Sequence, residues 1–402
     1  MNVTLEDIQK AQETIQNLVS YTPCDYSKSM TDLLGSEIFL KLENTQKTGS
    51  FKIRGASNKI TNLTADEKKR GVIACSAGNH AQGVALSSQL NNVNSVIVMP
   101  ENASIAKIDA TKRYGAEVIL YGSMFDEAKD HALKLAKEHG YVFVHPFEDE
   151  KVIAGQGTIG LEILKQIPEV DTIVIPIGGG GLISGIALAV KSLNPKIKII
   201  GVQTELVSTM AQMFHTKKFI PLTKPVATLA DGIAVKTPSE VMFKSFIEKN
   251  VDEVVTVTED EIAEAIVFLL ERAKTVAEGS GAVTVAAALS RKLNLGKKTC
   301  LVVSGGNIDL NIVSDIINRG QIARGRLCEL SVIVPDVPGS LSRLTQILAE
   351  HKANVLEVHH DRIRHGLNLK ETRIDFVLET TSREHINRIV EALEKTGAKV
   401  LV

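Results

Sequence analysis

Between about residues 20 and 320, short apolar runs alternate with segments of helical period. GVIACSAG precedes HAQGVALSSQL, SVIVMP precedes SIAKIDATKRYG, EVILYG precedes FDEAKDHALKLAKEHG, and TIVIPIGGGG precedes LISGIALAVKSL. This order predicts parallel strands joined by crossover helices, a layered α/β region. The strands are continuous apolar runs, as expected where helices cover both sheet faces. An amphipathic helix opens the chain, with Thr4 as its N-cap. The pattern changes after IINRGQIARGR, a basic, glycine-containing stretch that reads as a linker. Beyond it, CELSVIVPD, a helix over 340–351, NVLEVHHDRIRH, LKETRIDFVLET, a helix over 383–395 and AKVLV give the order βαββαβ of a ferredoxin-like unit. The expected division is therefore 1–320, a linker at 321–326, and a small unit at 327–402.

Composition narrows the function classes. Forty-six basic residues nearly cancel 47 acidic ones, so no global field favours a nucleic-acid polymer or an anionic membrane, and any anion site must be local. The most apolar stretch, 172–190, is broken by Pro176 and four consecutive glycines, which reads as strand, turn and helix rather than a membrane span. Cys24, Cys75, Cys300 and Cys328 form no CxxC pair, against a zinc site or a disulfide framework and in favour of a reducing compartment. The N-terminus lacks the basic start and apolar run of a signal peptide. A cytoplasmic location is expected.

Three glycine-containing turns fall at strand-to-helix junctions, where free backbone amides and the positive helix end can hold an anion. The strongest is Gly178, Gly179, Gly180 and Gly181, followed by Leu182. A dinucleotide GxGxxG does not fit, because its third glycine would fall on Ile183 or Ser184, and a Walker loop fails for want of GK[ST]. A lone glycine pair would read as a tight packing turn; four in a row favour a phosphate. The second turn is Ser76, Ala77, Gly78, Asn79 and His80, and the third Ser304, Gly305, Gly306 and Asn307, each of which also reads as a simple capping turn. Together they outline one crevice at the carboxyl ends of parallel strands. Lys52, in KTGSFKIRGA, would by residue type alone be a solvated surface lysine. A phosphate-bearing aldehyde cofactor changes that reading, since a buried lysine forms an imine with an aldehyde and shuttles protons when its pKa is lowered.

At these residues the chain resembles the threonine dehydratases, or threonine ammonia-lyases, of the tryptophan-synthase-like class (fold type II) of pyridoxal-phosphate enzymes. SFKIRGA, SAGNHAQG, GGGGL and SGGN stand in family order, and the resemblance spans the whole chain. It implies a two-lobed catalytic region with pyridoxal 5'-phosphate as cofactor. Lys52, with Phe51 beside it, would tether the cofactor through an imine and serve as catalytic base. Asn79 would bond the ring hydroxyl, Gly178 to Leu182 would hold the phosphate, and Ser304 would face the pyridine nitrogen. The turn from Ser76 through Ala77, Gly78 and Asn79 to His80 would take the substrate carboxylate. A neutral hydroxyl opposite the ring nitrogen stabilises a pyridinium less than a carboxylate does, which favours elimination over transamination. Threonine would give 2-oxobutanoate and ammonia, and serine pyruvate.

Serine racemases share most of these motifs but carry a serine where this chain has Ala77, and a methyl group exchanges no proton. Their divalent-ion carboxylates align with Gln203 and Thr209, so no metal site is expected, Glu205 being a weak candidate. Glu278 in AEGSGA reads as a helix cap rather than a catalytic group. His359 and His360 point to opposite faces of one expected strand, which does not suit a shared metal. Residues 327–402 resemble an ACT domain, through DVPGSL at 336–341, and in that family paired units bind amino-acid effectors near this turn. An amino-acid or nucleotide effector and a homodimer or homotetramer are expected, against a scaffold unit without ligand. The alternatives of another class are a serine dehydratase or racemase and a non-catalytic amino-acid sensor.

Overall fold

The computed structural model describes residues 1–224, 226–362 and 367–401. It divides into two compact units, Met1–Ile308 and Asp309–Val402. In chain order the strands are β1 (Cys24–Tyr26), β2 (Glu37–Leu42), β3 (Val72–Cys75), β4 (Ser95–Met99), β5 (Glu117–Leu120), β6 (Val142–Phe143), β7 (Thr172–Pro176), β8 (Lys198–Thr204), β9 (Glu253–Val257), β10 (Lys298–Val303), β11 (Leu327–Pro335), β12 (Asn354–Asp361), β13 (Glu371–Glu379) and β14 (Lys399–Leu401).

The first unit holds two sheets. One has the order β1-β2-β10-β7-β8-β9 and the other β5-β4-β3-β6. Every pairing is parallel except β1 with β2, in accord with the α/β alternation of the sequence. Isoleucines and valines dominate both cores: Ile173, Ile175, Ile183 and Ile186 pack in the larger lobe, Val72, Val84 and Ile97 in the smaller. The buried apolar runs drive this arrangement because helices cover both sheet faces. Thr4 caps the first helix, Leu5–Ile15, in a full capping box with Asp7.

The periodicity misses β2. Its sequence, EIFLKL, carries Lys41 at a buried position, and a charge there breaks the apolar run. The lysine is tolerated because its ammonium is fully partnered: it donates to Glu162 Oε2 (2.6 Å), Thr22 O (2.8 Å) and Gln166 Oε1 (2.9 Å). Arg54, also buried, donates to Glu43 through Nε and Nη2 (2.8 and 2.7 Å) and to Glu162 through Nη1 (2.6 Å). The quartet is neutral and ties the helix Lys52–Thr61 to β2 and to the helix Glu150–Gln166. Those two helices cross in close backbone contact: a Cβ at Gly155 would stand 2.6 Å from Arg54 O.

The second unit follows the predicted βαββαβ order, with sheet order β12-β13-β11-β14 and helices Ser340–Glu350 and Arg383–Glu394. The stretch expected as linker differs. Residues through Ala323 complete the helix Leu310–Ala323 and 324–326 turn into β11, because Ile312, Val313, Ile316, Ile317 and Ile322 give 310–323 a helical apolar period that Arg319, Gly320 and the arginines just beyond it mask. His359 and His360 lie on β12, paired with Asp375 and Ile374. Of the strand expected over NVLEVHHDRIRH, 363–365 lie outside the described residues, as does 402.

Candidate active site

The strand ends of the first unit open on a cavity of about 940 Å³. β2 leads through a short loop to Lys52, β3 to the turn at 76–78, β7 to the four glycines, and β10 to Ser304. All the site residues expected from the sequence, Phe51, Lys52, Ser76, Ala77, Gly78, Asn79, His80, Gly178, Gly179, Gly180, Gly181, Leu182 and Ser304, line this cavity. Main-chain bonds hold the segments together: Phe51 N donates to Ser304 O (3.1 Å), Gly306 N to Gly49 O (2.8 Å) and Glu278 N to Gly305 O (3.1 Å).

Lys52 begins its helix and donates from Nζ to Pro146 O at 3.1 Å. Burial lowers its ammonium from the usual 10.5 to about 8, with Glu278 pulling the other way. His80 is neutral: burial, with Lys52 nearby, pushes it down to about 3. Its Nε2 donates to Val144 O (2.8 Å), which leaves Nδ1 as a buried acceptor without a partner among the described residues. His145, lowered by burial to about 4, accepts at Nδ1 from the amide of Glu148 (2.7 Å) and so shapes the 145–148 turn.

The glycine turn has no room for side chains. A Cβ on Gly179 would run into the Phe147 ring, one on Gly181 would stand 2.8 Å from Phe147 Cβ, and Gly180 has φ +94°. Phe147 therefore presses on the turn, and the helix Gly181–Leu193 starts directly behind it. Amides at a helix start, with no side chain over them, form an anion cradle. An amine of lowered pKa, this cradle, and the polar side chains of Asn79 and Ser304 together fit an aldehyde cofactor with a phosphate handle. Ser304 Oγ donates to Ser280 O (3.4 Å), and Ser280 Oγ is buried without a partner among the described residues.

Glu278 corrects its reading from sequence. It occupies the N-cap position of the helix Gly279–Leu289 but makes no capping bond. Instead it is buried in the cavity wall, where Oε1 accepts from Asn79 Nδ2 at 2.6 Å. Burial, aided by Asp231, raises its carboxyl to about 7. Asn307, read from the sequence only as the end of the third turn, donates to Asn79 Oδ1 (2.7 Å) and Thr48 O (2.8 Å), and Phe147 had no reading at all. Asn307 had a signal in its place in SGGN; Phe147 had none, because its role is steric. Gln203 and Thr209 are bound internally, Gln203 Oε1 accepting from Ala211 N (2.8 Å) and Thr209 Oγ1 donating to Val235 O (2.8 Å), and Glu205 is exposed.

A parallel two-lobed α/β unit with a lysine and a glycine cradle facing one cavity defines a class: enzymes that bind pyridoxal phosphate. Residues 15–305 match the model of the pyridoxal-phosphate dependent enzymes and 329–398 that of the ACT domain. The chain is 51% identical over 401 residues to an L-threonine ammonia-lyase of Thermotoga maritima, covering 100% of this chain and 99% of that one. Among solved structures it resembles maize serine racemase (36% identity, TM-score 0.75, 80% of this chain and 99% of that chain) and the processed form of threonine deaminase isoform 2 from Solanum lycopersicum (38%, 0.73, 78% and 86%). The chain belongs to the pyridoxal-phosphate dependent enzyme family, among the threonine ammonia-lyases that carry a C-terminal ACT domain.

Proposed function

We propose that this chain removes water from L-threonine and releases ammonia, leaving 2-oxobutanoate, and that it turns L-serine into pyruvate by the same steps. The observation that carries the reading is a lysine of lowered pKa in the same cavity as a side-chain-free glycine cradle. Bound there, pyridoxal phosphate supplies an electron sink for the charge left at the substrate Cα. Lys52 is the tether and the base: with a pKa of about 8, a useful fraction of its amine is neutral near pH 7 and takes the Cα proton. Gly178 to Leu182 would hold the phosphate, Asn79 would bond the ring hydroxyl with Phe51 beside the tether, and Ser304 would offer a hydroxyl to the ring nitrogen.

The substrate carboxylate falls to the turn at 76–80. There the amide of Ser76 already donates to Val98 O (3.2 Å) and that of Gly78 to Ser76 Oγ (3.1 Å), so the amides of Ala77, Asn79 and His80 and the Ser76 hydroxyl are the donors at hand. Loss of the Cα proton and the Cβ hydroxyl yields an enamine, which tautomerises and takes up one water to give the oxo acid and ammonia. Ala77 supports elimination over racemisation, since its methyl group exchanges no proton on the opposite substrate face. Among the described residues no group of three or more His, Cys, Asp and Glu side chains could hold a metal, and no helix is long and apolar enough to cross a membrane. The four free thiols support work in a reducing cytoplasm.

Lys52→Ala is the test. It should remove the visible absorbance and cut 2-oxobutanoate formation by about a thousandfold or more; normal turnover in that variant overturns the reading. Residues 327–402 we assign as the regulatory unit following a catalytic region at 1–320, in a homodimer or homotetramer, with an amino acid or nucleotide as effector. The match to the ACT family supports it. Calorimetry with isoleucine, valine, threonine and adenine nucleotides checks it; no heat from any of them favours a scaffold.

A further inference from the structure

Glu278 has no part in the elimination as proposed, yet it is a buried carboxyl on the cavity wall, and it is closely seated. A side chain at Gly305 would collide with Glu278 Oε1, and one at Gly232 would stand 3.7 Å from it. The hydrogen bonds around it run in one direction for a reason. Thr48 O is a main-chain carbonyl, which only accepts, so the atom of Asn307 facing it must be the amide nitrogen. That nitrogen also donates to Asn79 Oδ1 at 2.7 Å. Asn79 is thereby turned with its own nitrogen toward Glu278 Oε1, 2.6 Å away. An ionised carboxyl accepts more strongly, but a neutral one still accepts at its carbonyl oxygen, so the bond survives in both states of Glu278.

Asn79 Nδ2 carries two hydrogens, and Glu278 takes one. Resting on the reading of Asn79 as the partner of the cofactor's ring oxygen, we propose that Glu278 is a positioning residue: it and Asn307 lock the Asn79 amide from both ends, leaving one N–H to donate to that oxygen. A rotated Asn79 would present a carbonyl to an oxygen that carries negative charge in the tethered cofactor. The lock therefore favours the charge-separated tautomer, which absorbs at longer wavelength, over the neutral one.

The test uses the full-length holoenzyme, its visible spectrum and its cofactor dissociation constant by equilibrium dialysis. Glu278→Ala should transfer intensity from the long-wavelength to the short-wavelength band and weaken cofactor retention roughly tenfold, whereas Glu278→Gln, which keeps an acceptor, should hold both within about twofold. Asn307→Ala removes the other end of the lock and should move the spectrum in the same direction as Glu278→Ala. A wild-type spectrum and dissociation constant in Glu278→Ala overturn the proposal. So does a Gln variant as defective as the Ala variant, which would assign the effect to charge, or an unmoved spectrum in Asn307→Ala, the arm that decides if Glu278→Ala does not fold. A wild-type protein with no Lys52-dependent visible band overturns the cofactor reading instead.

Discussion

Lys41 and Lys52 lie eleven positions apart in the chain, the first fully buried and the second half-buried on the cavity wall, and their surroundings differ in kind. All three ammonium protons of Lys41 have acceptors, one of them the carboxylate of Glu162, and Arg54 shares that carboxylate and doubly binds Glu43. Burial disfavours charge on both Arg54 and Glu43, but their mutual attraction wins, raising the guanidinium and lowering the carboxyl from their usual ranges. Among the described residues Lys52 Nζ has one carbonyl as hydrogen-bond partner, the Phe51 ring beside it and no carboxylate within ion-pair distance, and Glu278 accepts from one side-chain amide. In the paired region charge is cancelled and serves as a fastener. Around Lys52 the desolvation cost is only partly offset, by the mutual field of Lys52 and Glu278 and by the Asn79 amide, which keeps an amine and a carboxyl titrating near neutral pH.

Breaking the paired region should produce the largest change in stability. Arg54→Met or Glu162→Leu leaves a buried partner without its countercharge and should cost about 3–5 kcal/mol, read as thermal or denaturant unfolding of the full-length protein. A loss below about 1 kcal/mol would remove the distinction between the two lysines. Lys52→Met should act in the opposite direction on the cofactor-free protein. The shift from 10.5 to about 8 corresponds to roughly 3 kcal/mol of cost, and water in the cavity reduces the expected gain to about 2 kcal/mol.

The pH dependence sharpens this. Below about pH 8 the folded and unfolded chains both bind the Lys52 proton and the cost is borne in full. Between about 8 and 10.5 only the unfolded chain keeps it, so the contribution of Lys52 makes stability rise with pH, and above that the cost is gone. Lys52→Met should remove this rising contribution, making stability relative to the wild type fall as pH goes from about 8 to 10.5. Glu278 runs the other way, because its carboxyl is raised from 4.5 to about 7. Below 4.5 it costs nothing; from there to about 7 the unfolded chain ionises first and stability falls. Glu278→Gln should therefore match the wild type near pH 4 and exceed it by about 1–2 kcal/mol at pH 8. Equal stability at both pH values would count against an incompletely compensated carboxyl. The smallest effect expected is at Gly180, where φ +94° disfavours any Cβ: Gly180→Ala should cost about 1 kcal/mol in stability, with a larger loss in cofactor retention.

Much of the site was legible in the sequence alone. The four glycines, Lys52, Asn79 and Ser304 stand in local motifs whose chemistry is a property of the residues in order, and the crossover pattern places the ends of several strands together. The ferredoxin-like order of the second unit was legible for the same reason, since periods of 2 and 3.6 are local. Phe147, Glu278 and Asn307 were not assigned. Phe147 acts only by excluding volume over Gly179 and Gly181, and nothing in its neighbours announces that. Glu278 at a helix start carries the same signature whether it caps the helix or faces a cavity, and only its distance to Asn79, 199 positions away, separates the two.

The sequence by itself determined the layered α/β plan, the appended second unit and the reactive residue types, because hydrophobic period and short motifs are written within a few turns of chain. Tertiary structure decided which charged groups are cancelled and which are left exposed to one another's fields. Lys41 became a fastener and Lys52 a base because residues 22, 162 and 166 converge on the first while 278 only approaches the second. Desolvation and countercharge are properties of that convergence, and no local reading of lysine contains them.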